Sequence, residues 1–152
     1  MSRLLTAASV FMVAGVASGL FYREFTKAND FPEGQFTQLG LAHTHLLTLG
    51  FLVLLVVLAL EKVLSLSGSR MFAWFFWLYN AGVVLTSAML IWHGMLTVLG
   101  QESSAMIAGI AGLGHMLVTA GMVLLLLAIR AAIKRQPAQP QVAGLDAERA
   151  GA

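Results

Sequence analysis

Four stretches of this chain, residues 4–22, 39–60, 72–99 and 104–129, are made almost wholly of apolar side chains and glycine. The hydrocarbon core of a bilayer takes roughly 20 apolar helical residues to cross, and each stretch has about that length. Backbone in hydrocarbon must satisfy its own hydrogen bonds, so each stretch is predicted to be a helix. Only short polar segments separate them, namely REFTKANDFPEGQFTQ, EKVLSLSGSR and GQESS. Short connections make sequential helices antiparallel neighbours. The expected fold is therefore all-α: an integral membrane four-helix up-down-up-down bundle over residues 1–132, followed by a Pro/Ala/Gln-rich segment, 133–152, that reads as a disordered tail.

Composition agrees with lipid as the solvent. Hydrophobic residues make up 59% of the 152-residue chain and charged residues 11%, against about half and a quarter in soluble domains. Mean hydropathy is +0.83. There is no cysteine, which removes disulfides, thiolate metal sites and thioether-linked haem. Net charge is +2 with no basic patch interleaved with aromatics, so nucleic acid is not an expected partner.

Basic residues orient the spans, because short loops rich in Lys and Arg stay in the cytoplasm. With the N-terminus inside, Arg3, Lys62, Arg70, Arg130, Lys134, Arg135 and Arg149 are cytoplasmic and only Arg23 and Lys27 are outside. Both termini are expected in the cytoplasm, with the chain in a bacterial inner membrane. Reading the first span as a cleaved signal peptide is the rival, disfavoured because the apolar run continues to Phe21. Trp74 and Trp77 fall near the inner interface. Gly15 and Gly19, a GxxxG pair, read as a helix contact, and Ala105, Ala108, Gly109 and Gly112 supply further small-residue pairs. Asn80, Thr86, Ser87 and Thr119 are expected to bond across helices. Glu61 reads as an interfacial charge beside Lys62.

The chemistry-bearing residues are the four histidines, His43, His45, His93 and His115, all inside predicted spans. Polar side chains at membrane depth are costly and usually have a partner or a task. At about 1.5 Å rise per residue, His43, His45 and His93 lie about 6, 9 and 9 Å from the outer ends of their spans and His115 about 16 Å. All four fall in the outer half of the bilayer on three helices. Positions 43 and 45 are 200° apart around a helix, at 100° per residue, so they point to opposite sides and cannot both aim at one ion.

Haem fits this pattern. It needs one or two axial imidazoles, a slot among small residues, and polar groups for its propionates. Gly50, Gly94, Gly109, Gly112 and Gly114 are candidates for the slot, and Arg23 and Lys27 for the propionates. The expected pairing sets His93 or His115 across from His43 or His45. Copper or zinc is the alternative, with Met95 and Met116 as potential soft ligands, although a bare ion needs three or four converging donors. Thr44 and Thr48 flank the HxH pair and are placed to orient a ring. A scaffold or accessory subunit whose histidines only pack helices is the third reading. For a haem protein the roles left open are electron transfer, haem handling and gas sensing, with a redox partner and a homo-oligomer as companions.

Two resemblances bear on these expectations. GLFYREFTKANDF and LAHTHLLTLGFLVLLVVLALEK resemble a family of small four-span bacterial membrane proteins of unknown function, over residues 1–132. The segment AHTHLLTLGF resembles the HxH helix of haem-copper oxidase and nitric oxide reductase catalytic subunits. That likeness implies that His43 and His45 each face a haem on opposite sides of one helix. It covers about ten residues of a chain with four spans and no clustered copper-site histidines, so it implies neither oxygen nor nitric oxide reduction.

Overall fold

The computed structural model describes residues 1–135. Four long helices run through it: α1 (Ser2–Ala28), α2 (Leu39–Leu64), α3 (Arg70–Val98) and α4 (Ala105–Arg135). All four are long and apolar enough to cross a membrane, and no strand occurs among the described residues. The chain is an all-helical multi-pass membrane protein, and its helices pack in the expected up-and-down order. Each helix runs past its predicted span at one end or both, while α3 ends one residue before its predicted span does and α4 begins one residue after. The fourth continues to Arg135, so residues 133–135, expected in the tail, are helical. The rest of the tail lies outside the described residues.

Glycines decide where helices touch. At Gly50 the Phe11 ring of α1 occupies the place a Cβ would take, and at Gly15 the Leu47 side chain comes within 2.7 Å of that place. The GxxxG pair of α1 is thus a contact face with α2, as its spacing suggests. On α3, Gly82 lies under Val118 and Gly114 of α4, and Gly121 of α4 meets Tyr79. Gly94 of α3 admits the backbone of Leu39 at the start of α2. The order of contacts is therefore α1 on α2, α2 on α3, and α3 along most of α4.

The apolar core sits toward one end of the bundle. Leu4, Ala8, Phe11, Leu54, Val57, Leu66, Phe72, Phe75, Tyr79, Leu125, Ala128 and Ala132 interlock there. This is the end that carries the N-terminus and the α2–α3 turn. The opposite end, formed by loops 29–38 and 99–104, has a sparser interior.

Turns are closed by side chains. Ser65 takes a left-handed conformation (φ 50°) after α2, and Ser69 caps α3 by accepting the amide of Phe72 at 3.1 Å. Glu61 keeps its place near the end of α2, but its side chain is buried: it accepts the Ser67 amide at 2.9 Å and the Ser67 hydroxyl. Turning in to satisfy that turn is what removes it from the company of Lys62. The predicted polar bridges differ too. Asn80 and Thr119 bond carbonyls of their own helices, at Phe76 and His115, while Thr86 and Ser87 have buried hydroxyls with no partner. Tyr79 of α3 donates across to the Leu49 carbonyl of α2 (3.0 Å), and two bonds tie α3 to the loop before α2: Thr37 donates to the Gly94 carbonyl (3.0 Å) and Thr97 to Gln38 Oε1 (3.1 Å).

α2 is not uniform. Residues Leu46–Leu52 form a π-helical segment between two α-helical halves, Leu39–His45 and Val53–Leu64. Such segments are rare and recur at functional sites.

Close approach at Gly94 makes a differential prediction. Gly94→Ala drives a methyl into the Leu39 backbone and should lower thermal stability in detergent by roughly 1–3 kcal/mol. Gly109 has nothing within 4 Å of a built Cβ, so Gly109→Ala should be neutral or gain about 0.5–1 kcal/mol from lost unfolded-state freedom. Detergent melts of the two variants, followed by circular dichroism, measure the contrast.

Candidate functional site: a two-histidine pair between α2 and α4

The contacts at Gly94, Gly114 and Gly121 fix the axial register of the helices. His45, six residues past Leu39, comes level with about residue 88 of α3, and His115 with about residue 85, so they differ in depth by about 5 Å. His93 stands about 12 Å nearer the loop end than His115. On the same register His43 is level with about residue 90, so the single layer of four imidazoles expected from sequence spreads over about 12 Å, in the order His93, His43, His45, His115 from the loop end.

Opposite orientation within the HxH pair is what the structure shows. His43 faces α1, with its Cβ and ring 3.7 Å from the place of a Cβ on Gly19. His45 points the other way and meets His115 of α4, ring centroids 6.3 Å apart and planes at 85°. His43 Nδ1 is enclosed and has no hydrogen-bond partner. His93 is half-buried near the loop end, and its carbonyl accepts the Thr97 hydroxyl at 3.0 Å.

The two paired rings are held alike. Nδ1 of His45 lies 2.9 Å from the Leu41 carbonyl, and Nδ1 of His115 lies 2.9 Å from the Ala111 carbonyl. A carbonyl can only accept, so Nδ1 must carry the proton and donate. In the neutral ring the lone pair then belongs to Nε2, on the edge away from the backbone. This is how metal-ligating histidines are commonly oriented, by a bond from the ring nitrogen that does not bind. The orienting groups are carbonyls one turn back on the same helix, not the hydroxyls of Thr44 and Thr48. Thr44 turns to the Gly40 carbonyl at 3.4 Å.

The separation is also informative. A metal atom bonded to both rings would set their centres about 6 Å apart, from two bonds of about 2 Å and a ring radius of about 1 Å at each end. No group of three or more His, Cys, Asp or Glu able to hold an ion occurs among the described residues. Zinc or copper(II) bound through protein donors alone would be short of ligands here. Met116, beside His115, is 64% exposed.

Of the expected slot residues, Gly50 and Gly94 are already filled, by the Phe11 ring and the Leu39 backbone. Gly114 is taken up by Thr86. Gly109 and Gly112 remain open, with nothing within 4 Å of a built Cβ, on the turns of α4 that precede His115. Arg23 and Lys27 line a separate cleft of about 570 Å³ with Tyr22, Thr26 and the loop 30–35, and none of its lining residues is a histidine. Arg23 is paired there with Glu24 at 3.5 Å.

Four membrane-length helices define a polytopic membrane protein, in which His45 and His115 face each other between α2 and α4. The chain belongs to the family described as Protein of unknown function (DUF2871), which matches residues 1–132. No curated protein and no solved structure matches it.

The tautomers are testable directly. With ¹⁵N-labelled histidine, His45 and His115 of the chain as isolated without added metal should both report protonated Nδ1 and unprotonated Nε2. The reverse tautomer at either ring would remove the orienting role of the Leu41 or Ala111 carbonyl.

Proposed function

We propose that this protein is a membrane haem-binding protein of the b type, holding haem between His45 and His115 in the outer half of the bundle. The observation that carries the reading is the pair itself: two rings on different helices, 6.3 Å apart, each tethered through Nδ1. Haem iron brings four equatorial nitrogens with it and needs only one or two imidazoles. A site with two suits it, where a bare ion would want more. The open face at Gly109 and Gly112 leaves room for a flat ring beside His115.

His45 and His115 would hold the iron through their Nε2 lone pairs, with the Leu41 and Ala111 carbonyls, each 2.9 Å from Nδ1, keeping the rings from turning. His115 is exposed on the bundle surface, where lipid would keep water away. When bound, the iron supplies a one-electron couple. Because two imidazoles would hold the iron, electron transfer is favoured over gas sensing. The excess of Lys and Arg at the terminal end supports an inner-membrane orientation with both termini in the cytoplasm. A redox partner would then meet the site from the outer side.

An edge-to-face pair of rings can stand at a similar distance with nothing between, and the optical spectrum separates the two cases. Protein purified after expression with ample haem should show a Soret band that shifts on dithionite reduction. His45→Ala and His115→Ala should each lose the low-spin spectrum, while His43→Ala and His93→Ala keep it. Rings at 85° should give the ferric protein an electron paramagnetic resonance signal dominated by one large g value, in place of the rhombic triplet of parallel rings. Gly112→Leu should reduce haem retention without lowering the melting temperature of the haem-free chain. A purified protein with no Soret band would end the proposal.

A further inference from the structure

The π-helical segment begins at the residue after His45. An α-helix advances 100° per residue. A single-turn π-bulge accommodates one residue more than the α-helix over the same rise, so it turns the helix on one side of it by about 100° relative to the other. Leu54 and Val57, on the terminal side, are fixed by the core. His43 and His45, on the loop side, take their direction from the inserted residue. With an α-helical segment and an unchanged core, His45 would point about a quarter-turn away from His115.

The groups that hold the segment open are visible. Val53 donates its amide to the Thr48 carbonyl, five residues back. Where such a segment returns to α-helix, the amide ladder passes over one carbonyl, which in lipid must find another donor. The Leu49 carbonyl accepts the hydroxyl of Tyr79 at 3.0 Å. Tyr79 is fully buried in α3, packed on Phe75 and over Gly121, so its hydroxyl has a fixed aim. Phe11 fills the space at Gly50 from the other side.

We infer that Tyr79 is a positioning residue for the histidine pair: its hydroxyl keeps α2 in the widened form that points His45 at His115. The role in haem ligation rests on the function proposed above; the geometry does not.

Two readouts keep those apart. In the haem-loaded full chain, Tyr79→Phe removes one oxygen and keeps the ring. It should lower haem affinity about tenfold and convert part of the large-g signal to rhombic or high-spin forms. Thr97→Val, which removes a hydroxyl that ties α3 to Gln38 just before α2, should lower thermal stability and leave the signal unchanged. In the haem-free chain, which has no cysteine, His45→Cys with His115→Cys should cross-link readily with a short bifunctional thiol reagent. Adding Tyr79→Phe should slow that reaction severalfold. Deleting Thr48, which returns the segment to an α-helical count, should slow it at least as much. Unchanged cross-linking in both backgrounds would overturn the inference. Absence of haem from the parent protein would instead overturn the function and leave the cross-linking result to decide the role of Tyr79.

Discussion

A carbonyl, hydroxyl or ring nitrogen inside a membrane has no water to fall back on. It bonds to protein or remains unpaired at a cost of several kcal/mol. Much of this structure follows from that constraint. It makes every span a helix, and it turns Glu61 inward to Ser67 at the α2–α3 turn. It gives the Leu49 carbonyl to Tyr79, and it ties the Nδ1 atoms of His45 and His115 to their own helices. The apolar contacts are shaped around these bonds, because a bond of about 3 Å between helices needs close backbones. Glycines at 82, 94, 114 and 121 provide that closeness.

The spans were legible because the signal for a membrane helix is long and cumulative. Twenty apolar residues between charged loops leave little else to predict. Helices α1 and α4 extend beyond their apolar runs because their last turns carry polar residues of the interface: Arg23 and Lys27 belong to α1, and Arg130, Lys134 and Arg135 to α4. The opposed directions of His43 and His45 followed from helical geometry alone, and the structure gives each a different neighbour helix. The pairing of His45 with His115, out of four combinations, required the register that Gly94 and Gly114 impose. No periodicity shows which glycine will be filled. Gly50 and Gly112 look equivalent in the sequence, yet one receives a phenyl ring from α1 and the other receives nothing.

The π-helical segment was the largest omission. Its residues, LLTLGFL, read as ordinary apolar helix, and the insertion is a compromise between two packed regions, the core around Leu54 and the contact of Leu39 with Gly94. Only the tertiary structure shows the conflict between those regions. A weak local signal did exist, since Gly50 within a run of bulky residues lowers the resistance of the helix to distortion. The carbonyls that orient the rings were likewise invisible as residues, because a backbone oxygen has no letter. Any helical histidine can reach the carbonyl four residues back, a partner that competes with the hydroxyls of Thr44 and Thr48.

The uneven distribution of the core has a consequence for how such a chain is completed. One end is sealed by interlocked aromatic and aliphatic side chains; at the other, α4 carries bare glycine surface and an uncovered imidazole. At the loop end α1, α2 and α3 still meet closely, at Gly19 with His43 and at Gly94 with Leu39, whereas α4 leaves Gly109 and Gly112 bare. Should a flat molecule settle on that bare face, as proposed, it could arrive sideways from the leaflet while the aromatic core stays shut. Insertion of the helices and occupation of that face would then be separable events.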